Sequence, residues 1–356
     1  FFDKYGKYTD IRSNPNPRSE FANFWREELN RWKNGLIRLS DGEWIPGTYY
    51  FYLNYSPIWL NEIEKITTSK KSKAKRIRKF PKPWLGDYLF FHYDDQAKCN
   101  GNHVKCLKTR GVGISFKMAA LSPRNMFIER GLANFHLASD KTFLEGDKGV
   151  FGKVVDVLDH LADHSPLDKL RLVDRALEKQ IGHKDPENGV IRGPKSSVFG
   201  ISLKDNPDKA RGIRGKLIHY EEDGLFPNLE KAWNVNRKAV EDGDIVFGTM
   251  YALGTGGVEG SNFEGSEKLF YYPKAYNVYG IPNVFDKNTS GATECGFFWG
   301  AYLNRAECYN LETGEPDVIK ALIEVLQDRY IVKYNSTDPS AITQKKAEEP
   351  ITPQEA

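Results

Sequence analysis

The sequence predicts an α/β fold in which a mostly parallel sheet is flanked by helices and carries a phosphate-binding loop. From about residue 86 onward, short apolar runs alternate with helical patterns, as in a sheet built with crossover helices. A glycine-bearing loop follows the apolar run 104–109, and a later apolar run ends in the adjacent carboxylates Glu221 and Glu222. Both motifs fall at predicted strand ends, where open parallel sheets bind ligands.

Composition is that of a globular protein with a substantial core. Of the 356 residues, 40% are apolar and 13% aromatic, enough for one large domain or two ordinary ones. We find no apolar run of the roughly 18 to 20 residues that a membrane span needs, and we expect no contact with a membrane. The four cysteines lack C-x-x-C spacing, so we expect buried reduced thiols rather than zinc or disulfides.

The first 85 residues are rich in aromatic residues and prolines and form a predicted accessory region. Apolar residues recur at helical spacing from Phe21 to Trp32, which predicts an amphipathic helix. The segment 47–53 is short and strongly aromatic, which favours a strand.

The core and the C-terminal region follow in order along the chain. The predicted strands are 104–109, 134–139, 197–203, 216–220 and 244–253. The predicted helices begin at Ser115 and at the Ser122-Pro123 pair, the second ending near Gly131, and then span 150–161, 227–241 and 317–330. The residues after Asn335 read as a linker.

The loop CLKTRGVGISF departs from the usual G-x-x-x-x-G-K-[ST] phosphate-binding pattern. Gly113, Ile114 and Ser115 take its last three positions, and Lys108 stands where the first glycine is expected. We therefore expect Lys108 to neutralise phosphates from the strand side, and Ser115 to hold Mg²⁺ through its hydroxyl. The predicted nucleotide contacts are Lys108, Thr109, Arg110, Gly111, Val112, Gly113, Ile114, Ser115 and Phe116.

Adjacent carboxylates at a strand end suit metal-assisted hydrolysis, since successive side chains of an extended segment point opposite ways. We expect Glu221 to contact Mg²⁺, through water, and Glu222 to orient and deprotonate the attacking water. At the end of the following strand, Thr255 would sense the γ phosphate or that water. The alternatives are a solvated turn for the acidic pair and an incidental threonine in a glycine turn, and Thr249 is a weaker rival within the strand.

Arginines matter because a guanidinium can bind two oxygens of a transferred phosphoryl group. We expect Arg110 to act within its own subunit. Arg211 and Arg214 precede the Glu221 strand, and one of them would reach a neighbour's nucleotide, unless both form surface salt bridges.

Two further features have open interpretations. The strip KKSKAKRIRK, Lys70 to Lys79, has seven basic side chains and would either bind DNA phosphates or form a solvated loop. His160 and His164 have the spacing of a two-histidine metal site, but no glutamate follows the first histidine, so we favour a solvated helix face.

The chain resembles the ATPase half of a tailed-phage terminase large subunit over nearly its whole length. The residues that carry the resemblance are KTRGVGIS around the loop, RGIRGKLIHYEEDGLF around the acidic pair, LGTGG at Thr255, and the terminal AEEPITPQEA. In such motors Lys108 and Ser115 would serve the phosphate loop, Glu221 and Glu222 the acidic pair, and Thr255 the coupling. Arg211 falls where related motors place an arginine finger that acts in trans. Glu221 replaces the more usual aspartate.

The resemblance implies a RecA-like P-loop fold of the ASCE type with an accessory lid, and ATP with Mg²⁺ as cofactors. It implies double-stranded DNA, a portal protein and a small terminase subunit as partners. The implied assembly is a homo-oligomeric ring of five subunits on the procapsid, in the host cytoplasm at the portal vertex, or a monomer in isolation.

The implied domains are an accessory or lid region at 1–85, a P-loop ATPase core at 86–285, the rest of the ATPase or lid at 286–334, and a linker at 335–356 toward a nuclease domain. We therefore expect no nuclease activity from this chain. Two alternatives remain open. One is a nucleotide-gated DNA-binding or assembly module without productive hydrolysis, and the other is a helicase-like ATPase.

Overall fold

The computed structural model describes residues 1–64, 73–167, 170–203, 214–257, 263–286, 293–305, 307–310 and 312–356. The helices are α1 Phe2–Tyr5, α2 Glu20–Asn34, α3 Gly47–Tyr55, α4 Leu85–Cys99, α5 Ile114–Ile128, α6 Val150–His164, α7 Leu229–Arg237, α8 Glu264–Tyr271, α9 Val318–Asn335 and α10 Ala341–Glu348. Within these ranges, every helix is too short or too polar to cross a membrane.

The strands are β1 Leu36–Ile37, β2 Trp44–Ile45, β3 Ile58–Glu64, β4 Lys73–Lys79, β5 Val104–Lys108, β6 Ala133–Ala138, β7 Arg171–Arg175, β8 Glu178–Ile181, β9 His183–Lys184, β10 Ile191–Arg192, β11 Ser197–Ser202, β12 Leu217–Glu221, β13 Glu241–Asp242, β14 Ile245–Val246, β15 Thr249–Gly254, β16 Ile281–Pro282, β17 Glu294–Cys295 and β18 Phe297–Trp299.

Eight strands form the central sheet, in the order β18-β5-β15-β12-β6-β11-β8-β7. The pairings from β18 through β11 are parallel, and only β8 and β7 are added antiparallel. Strands β5, β12 and β15 are buried along their whole length, so buried and exposed positions do not alternate along them, as expected for a sheet covered on both faces. The mostly parallel sheet flanked by helices is confirmed.

Strand β15 lies between the loop strand β5 and the acidic strand β12. All three are parallel, so the phosphate loop, the acidic pair and the LGTGG turn emerge at the same edge of the sheet. Strand β15 begins only at Thr249, because residues 241–246 before it form the separate hairpin of β13 and β14. The expected strand 244–253 was therefore too long at its start.

The strand predicted at 47–53 is wrong, since these residues form helix α3. Its side chains are buried around most of its circumference, which leaves no polar stripe to reveal the helical period. The helix packs against α2, α4 and α5. The hydroxyls of Tyr50 and Tyr55 both donate to Glu28 on α2, over 2.7 and 2.5 Å.

A helix start at the Ser122-Pro123 pair is also wrong, because α5 runs without interruption through Pro123. Proline removes one backbone hydrogen bond from a helix, but this helix is buried at almost every position from Met118 to Met126, so packing holds it together. The Ser122 hydroxyl does not cap a helix. It lies 2.8 Å from His136 Nε2 on β6.

The C-terminal region is more structured than the sequence indicates. Helix α9 continues to Asn335, and the predicted linker contains α10 and a short 3-10 turn at 353–355. Arg329 on α9 holds this tail, since its guanidinium lies 2.8 Å from both Glu355 Oε2 and the carbonyl of Glu349. Residues 341–356 therefore pack on the domain instead of leaving it.

Candidate functional site

The phosphate loop joins the buried strand β5 to helix α5. Gly111 and Gly113 have φ values of 85° and 68°, a left-handed conformation that glycine adopts without steric cost, and Gly113 is the N-cap of α5. The loop's backbone amides and the start of a long helix together make an anion-binding concavity. This backbone conformation is compatible with the predicted phosphate-binding loop.

Lys108 is the last residue of β5 and only 4% exposed. Its Nζ lies 3.0 Å from Glu222 Oε1, so the displaced lysine and the second carboxylate form an ion pair across the strand ends. Ile114, in the position where the usual pattern has its lysine, is buried in the core instead. The ammonium at this site thus comes from the strand side.

Glu222 follows β12 directly and has a left-handed backbone with φ 49°. Its Oε2 accepts hydrogen bonds from the backbone N–H of Thr255, at 3.2 Å, and from the Thr255 hydroxyl, at 3.4 Å. Thr249 lies at the other end of β15, where its N–H donates to Lys216. The structure thus brings Lys108, Glu222 and Thr255 into one cluster and leaves Thr249 apart.

Glu221 is buried, and burial raises its pKa while the hydrogen bond from Ser115 opposes that shift. The Ser115 hydroxyl donates to Glu221 Oε1. The other oxygen, Oε2, lies 3.2 Å from His219 Nε2, but the two atoms lack hydrogen-bond geometry. Among the described residues, Glu221 Oε2 has no hydrogen-bond partner, which leaves a carboxylate oxygen able to accept from a metal-bound water.

Two histidines lie behind Glu221 and were not anticipated from the sequence. His219 on β12 and His136 on β6 are paired in register, and their Nδ1 atoms are 3.0 Å apart. Both are fully buried, and burial lowers both pKa values, that of His136 to about 3. A neutral pair therefore supports the acidic strand. The sequence did contain a sign of this pair, namely a polar residue in the middle of each apolar strand.

Three lysines near the site also escaped prediction. Lys117 on α5 is buried, and its Nζ donates to the carbonyl of Val112 over 2.7 Å and lies 3.0 Å from Asp87 Oδ1. It therefore ties the loop to α4. On α6, the pKa of Lys153 is lowered by burial, an effect that the nearby carboxylates of Glu221 and Glu222 oppose.

The third lysine, Lys105, is completely buried on β5 and pairs with the equally buried Asp223, the residue after Glu222. Lys105 Nζ also donates to the Ser266 hydroxyl over 2.6 Å, and that hydroxyl lies 3.2 Å from Asp223 Oδ2. Because Asp223 also packs against Gly254, this network fixes the turn on which Glu222 sits.

The C-terminal segment lies against the other side of the loop. The N–H of Arg110 donates to the carbonyl of Glu348 over 2.9 Å, and its guanidinium is 2.7 Å from Glu348 Oε1. The Thr109 hydroxyl is 3.3 Å from the same carbonyl. One backbone donor of the phosphate loop is thus occupied by the end of α10.

Arg211 is outside the described residues, and Arg214 is exposed at the edge of that gap. Phe116 is half-buried beneath the Lys153 ammonium, which is 4.9 Å from its ring centre.

The basic strip is partly described. Residues 70–72 are outside the described ranges, and residues 73–79 form β4, paired with β3 rather than in a loop. Arg76 lies over the Trp59 ring at 4.9 Å, and Arg78 donates to the carbonyl of Asp156.

On the helix face with His160 and His164, His160 is packed while His164 is exposed, so the expected solvated face holds for His164 alone. His160 is 5% exposed, its Nε2 is 2.7 Å from the Tyr8 hydroxyl, and both rings contact Phe2. Over the described residues, we find no group of three His, Cys, Asp or Glu side chains able to hold a metal. The four cysteines are free thiols, three of them buried as expected, whereas Cys99 is exposed.

Comparison in sequence finds no match, neither to a family model nor to a curated protein. Comparison in structure does. The large terminase ATPase domain of Thermus phage P74-26 is 15% identical with a TM-score of 0.52, and the match covers 76% of this chain and 94% of that one. An arginine-to-alanine variant of the same domain is 14% identical to this chain, with the same coverage and a TM-score of 0.51. The HK97 bacteriophage large terminase is 12% identical with a TM-score of 0.41, and the match covers 67% of this chain and 44% of that one. At these identities the likeness to the Thermus phage domain shows the fold, so the RecA-like P-loop arrangement is confirmed.

Proposed function

We propose that this chain is the ATPase domain of a phage large terminase, whose hydrolysis of ATP drives double-stranded viral DNA into a procapsid. The observation that carries the proposal is the single cluster of Lys108, Glu222 and Thr255 beside the Ser115 and Glu221 pair, at the carboxyl edge of a parallel sheet. The shared fold with the Thermus phage ATPase domain supports it.

In this proposal the phosphate loop binds the triphosphate through its backbone amides and Lys108. The loop residues are Lys108, Thr109, Arg110, Gly111, Val112, Gly113, Ile114, Ser115 and Phe116. Since Lys108 is paired with Glu222 in this structure, its ammonium would exchange that carboxylate for phosphate oxygens when ATP binds. The exchange releases Glu222 at the same moment.

The residues around Ser115 fit a magnesium ion. The Ser115 hydroxyl and the Glu221 carboxylate are adjacent, and Glu221 Oε2, unpartnered among the described residues, could accept from a metal-bound water, so Ser115 would bind the metal and Glu221 would hold its water shell. When bound, Mg²⁺ supplies positive charge to the transferred phosphoryl group. The longer side chain of Glu221, where an aspartate is more usual, suits contact through water.

Glu222 would then orient and deprotonate the attacking water, as a carboxylate at hydrogen-bonding distance does in general base catalysis. Thr255 contacts the same carboxylate, so a movement of Glu222 would also move the turn after β15.

Arg110 would bind phosphate once released from Glu348, and Arg211 remains our predicted contribution to a neighbour's site. Double-stranded DNA, a portal protein and a small terminase subunit are the proposed partners, in a ring of five subunits at the portal vertex in the host cytoplasm.

Replacement of Glu222 by Gln tests the assignment. We expect ATP turnover to fall by at least about 100-fold, because the general base is lost, while binding of ATP is retained. Phosphate release at saturating ATP measures the first, and equilibrium titration with a fluorescent ATP analogue measures the second. Glu187→Gln, the same change on an exposed turn, is the matched control and should keep wild-type turnover.

The outcome separates the alternatives. Normal turnover in Glu222→Gln would contradict the assignment of the base. If the wild-type chain binds ATP but releases phosphate no faster than Glu222→Gln does, the nucleotide-gated binding or assembly module is the better description. Single-stranded DNA that stimulates turnover more than duplex DNA would favour a helicase-like ATPase.

A further inference from the structure

A cavity of about 310 Å³ lies at the opposite edge of the sheet from the phosphate loop. Its wall includes residues at the amino ends of the parallel strands, among them Asn102 before β5, Lys216 before β12 and Thr249 at the start of β15. The site described above lies at the carboxyl ends of the same strands. The cavity is therefore separate in the fold from the proposed ATPase site.

Positive charge predominates in its lining. Lys33, Lys98, Arg124 and Lys216 face two carboxylates, Asp95 and Glu129. Lys216 pairs with Glu129 at 3.2 Å, and Lys98 pairs at 2.6 Å with Asp94 behind the wall. Within the described part of the chain, no ion pair forms with Lys33 or Arg124. Two cations are thus left without a direct counter-ion.

Arg124 is the buried one of these two cations, at 8% exposure. Its Nε donates to the carbonyl of Trp32 over 2.7 Å, its Nη2 to that of Lys33 over 3.4 Å, and its Nη1 to the Asn125 side chain over 3.0 Å. All three acceptors are neutral. Burial lowers the pKa of Arg124 to about 10, with nearby Asp94 opposing, so the guanidinium sits where its charge is poorly solvated.

Thr48 adds an independent observation. It lines the cavity, is 4% exposed, and its hydroxyl has no hydrogen-bond partner among the described residues. Buried hydroxyls in native proteins are nearly always paired, so this one calls for an acceptor. Thr48 is the second residue of α3, a nine-residue helix whose N-terminus has no side-chain cap. A helix start of this kind favours a negative charge.

We propose that this cavity binds a phosphate-type oxyanion. Such a group would accept from the Thr48 hydroxyl and offset the charges of Lys33 and Arg124, and it would lie by the start of α3. The volume is at the small end for ligand sites and suits a phosphate with its water or a small phosphate ester. The same chemistry is offered by free phosphate in solution and by a backbone phosphate of nucleic acid.

The test measures thermal unfolding of the Lys108→Ala protein with increasing inorganic phosphate at constant ionic strength, made up with chloride. The Lys108→Ala background weakens phosphate binding at the loop, so the remaining response reports the cavity. We expect the midpoint to rise with phosphate, as for any ligand that binds only the folded state. Adding Lys33→Gln or Thr48→Val should weaken the apparent phosphate affinity by about tenfold, as expected when a charged or hydroxyl donor is lost.

Thr48→Val is informative because the hydroxyl has no other partner in the described ranges of the chain, so without phosphate this variant should be as stable as its parent or more so. Lys33→Gln alters an exposed side chain and keeps the test valid if Thr48→Val folds poorly. An unchanged phosphate response in both variants, or an equal response to chloride alone, would overturn the proposal. A short DNA duplex that competes with phosphate, and loses that competition in Lys33→Gln, identifies a backbone phosphate as the natural ligand. A duplex without effect identifies free phosphate.

Discussion

Glu222 combines a strained backbone with a stabilised side chain. A left-handed φ of 49° costs a non-glycine residue on the order of 1–3 kcal/mol, and a glycine at this position would relieve it. The carboxylate is nevertheless held by Lys108 and Thr255, and the next residue, Asp223, is fixed in the core. Strain that persists at one residue because its surroundings hold it is common at reacting groups, which agrees with the proposed role of Glu222.

The buried ion pair of Lys105 and Asp223 stabilises the turn on which Glu222 sits. Lys105→Met should lower the free energy of unfolding by about 3–5 kcal/mol, because it leaves the Asp223 carboxylate buried without a counter-charge. Urea denaturation measures this loss. Lys105→Met combined with Asp223→Leu should recover most of it, since an apolar pair of similar volume is often tolerated. A single variant as stable as the wild type would show that the pair does not hold the turn.

Single residues also show the limits of sequence reasoning at the site. Lys108, Ser115, Glu221, Glu222 and Thr255 were predictable because their spacing follows a pattern along the chain. The roles of Lys105, Lys117 and His136 were not predictable. They depend on partners that are distant in the sequence, such as Asp223 and Asp87. A buried charge or imidazole inside an apolar strand is visible in the sequence, but its partner is not.

Among the elements, five of the six strands of the parallel core were predicted to within about a residue, apart from the start of β15, while β18 was not predicted. Short, uniformly apolar runs that end in glycine or acidic residues are typical of buried parallel strands. Two of the failures are α3 and the break expected in α5. In both, burial on nearly all sides removed the periodicity that identifies a helix, and tertiary packing outweighed the local signals of aromatic content and Pro123.

Helix α10 should compete with nucleotide for the phosphate loop. A chain ending at Ser340 should bind an ATP analogue several-fold more tightly than the full chain, because the N–H and side chain of Arg110 would no longer be occupied by Glu348. The apparent affinity of a site that is only partly available falls in proportion to its available fraction. Equilibrium titration with a non-hydrolysable analogue measures the effect, and circular dichroism verifies the fold.

Glu348→Gln is the matched control for that truncation. It weakens only the exposed ion pair with Arg110, which is worth under about 1 kcal/mol, and it leaves the backbone contact in place. Its affinity should therefore stay close to that of the full chain. Equal affinities for the truncated and full chains would mean that α10 does not compete with nucleotide.

For the whole molecule, buried histidines predict acid sensitivity. Burial lowers the pKa of His136 and that of His160 to about 3, against about 6.5 when unfolded. As the pH falls below 6.5, the unfolded chain takes up protons that the folded chain does not, so stability decreases. Each histidine should remove about 2 kcal/mol by pH 5.

Urea unfolding at pH 7.5 and pH 5 measures this dependence. In His136→Asn, the difference between the two pH values should shrink by the contribution of one histidine, whatever the variant's absolute stability. The same difference in wild type and variant would mean that His136 is accessible to protons in the folded protein.

Gly256, in the LGTGG turn, lies directly against the C-terminal segment 341–356. A Cβ at this position would lie 2.4 Å from the carbonyl oxygen of Ala356 and 2.8 Å from that of Ala347. Its φ is not in the left-handed region, so the backbone alone would accept other residues there. The need for glycine at the second glycine of LGTGG therefore comes from close contact with a segment about ninety positions later in the chain. Among related chains, its identity should co-vary with the length and path of their C-terminal segments, a signal readable from an alignment without any structure.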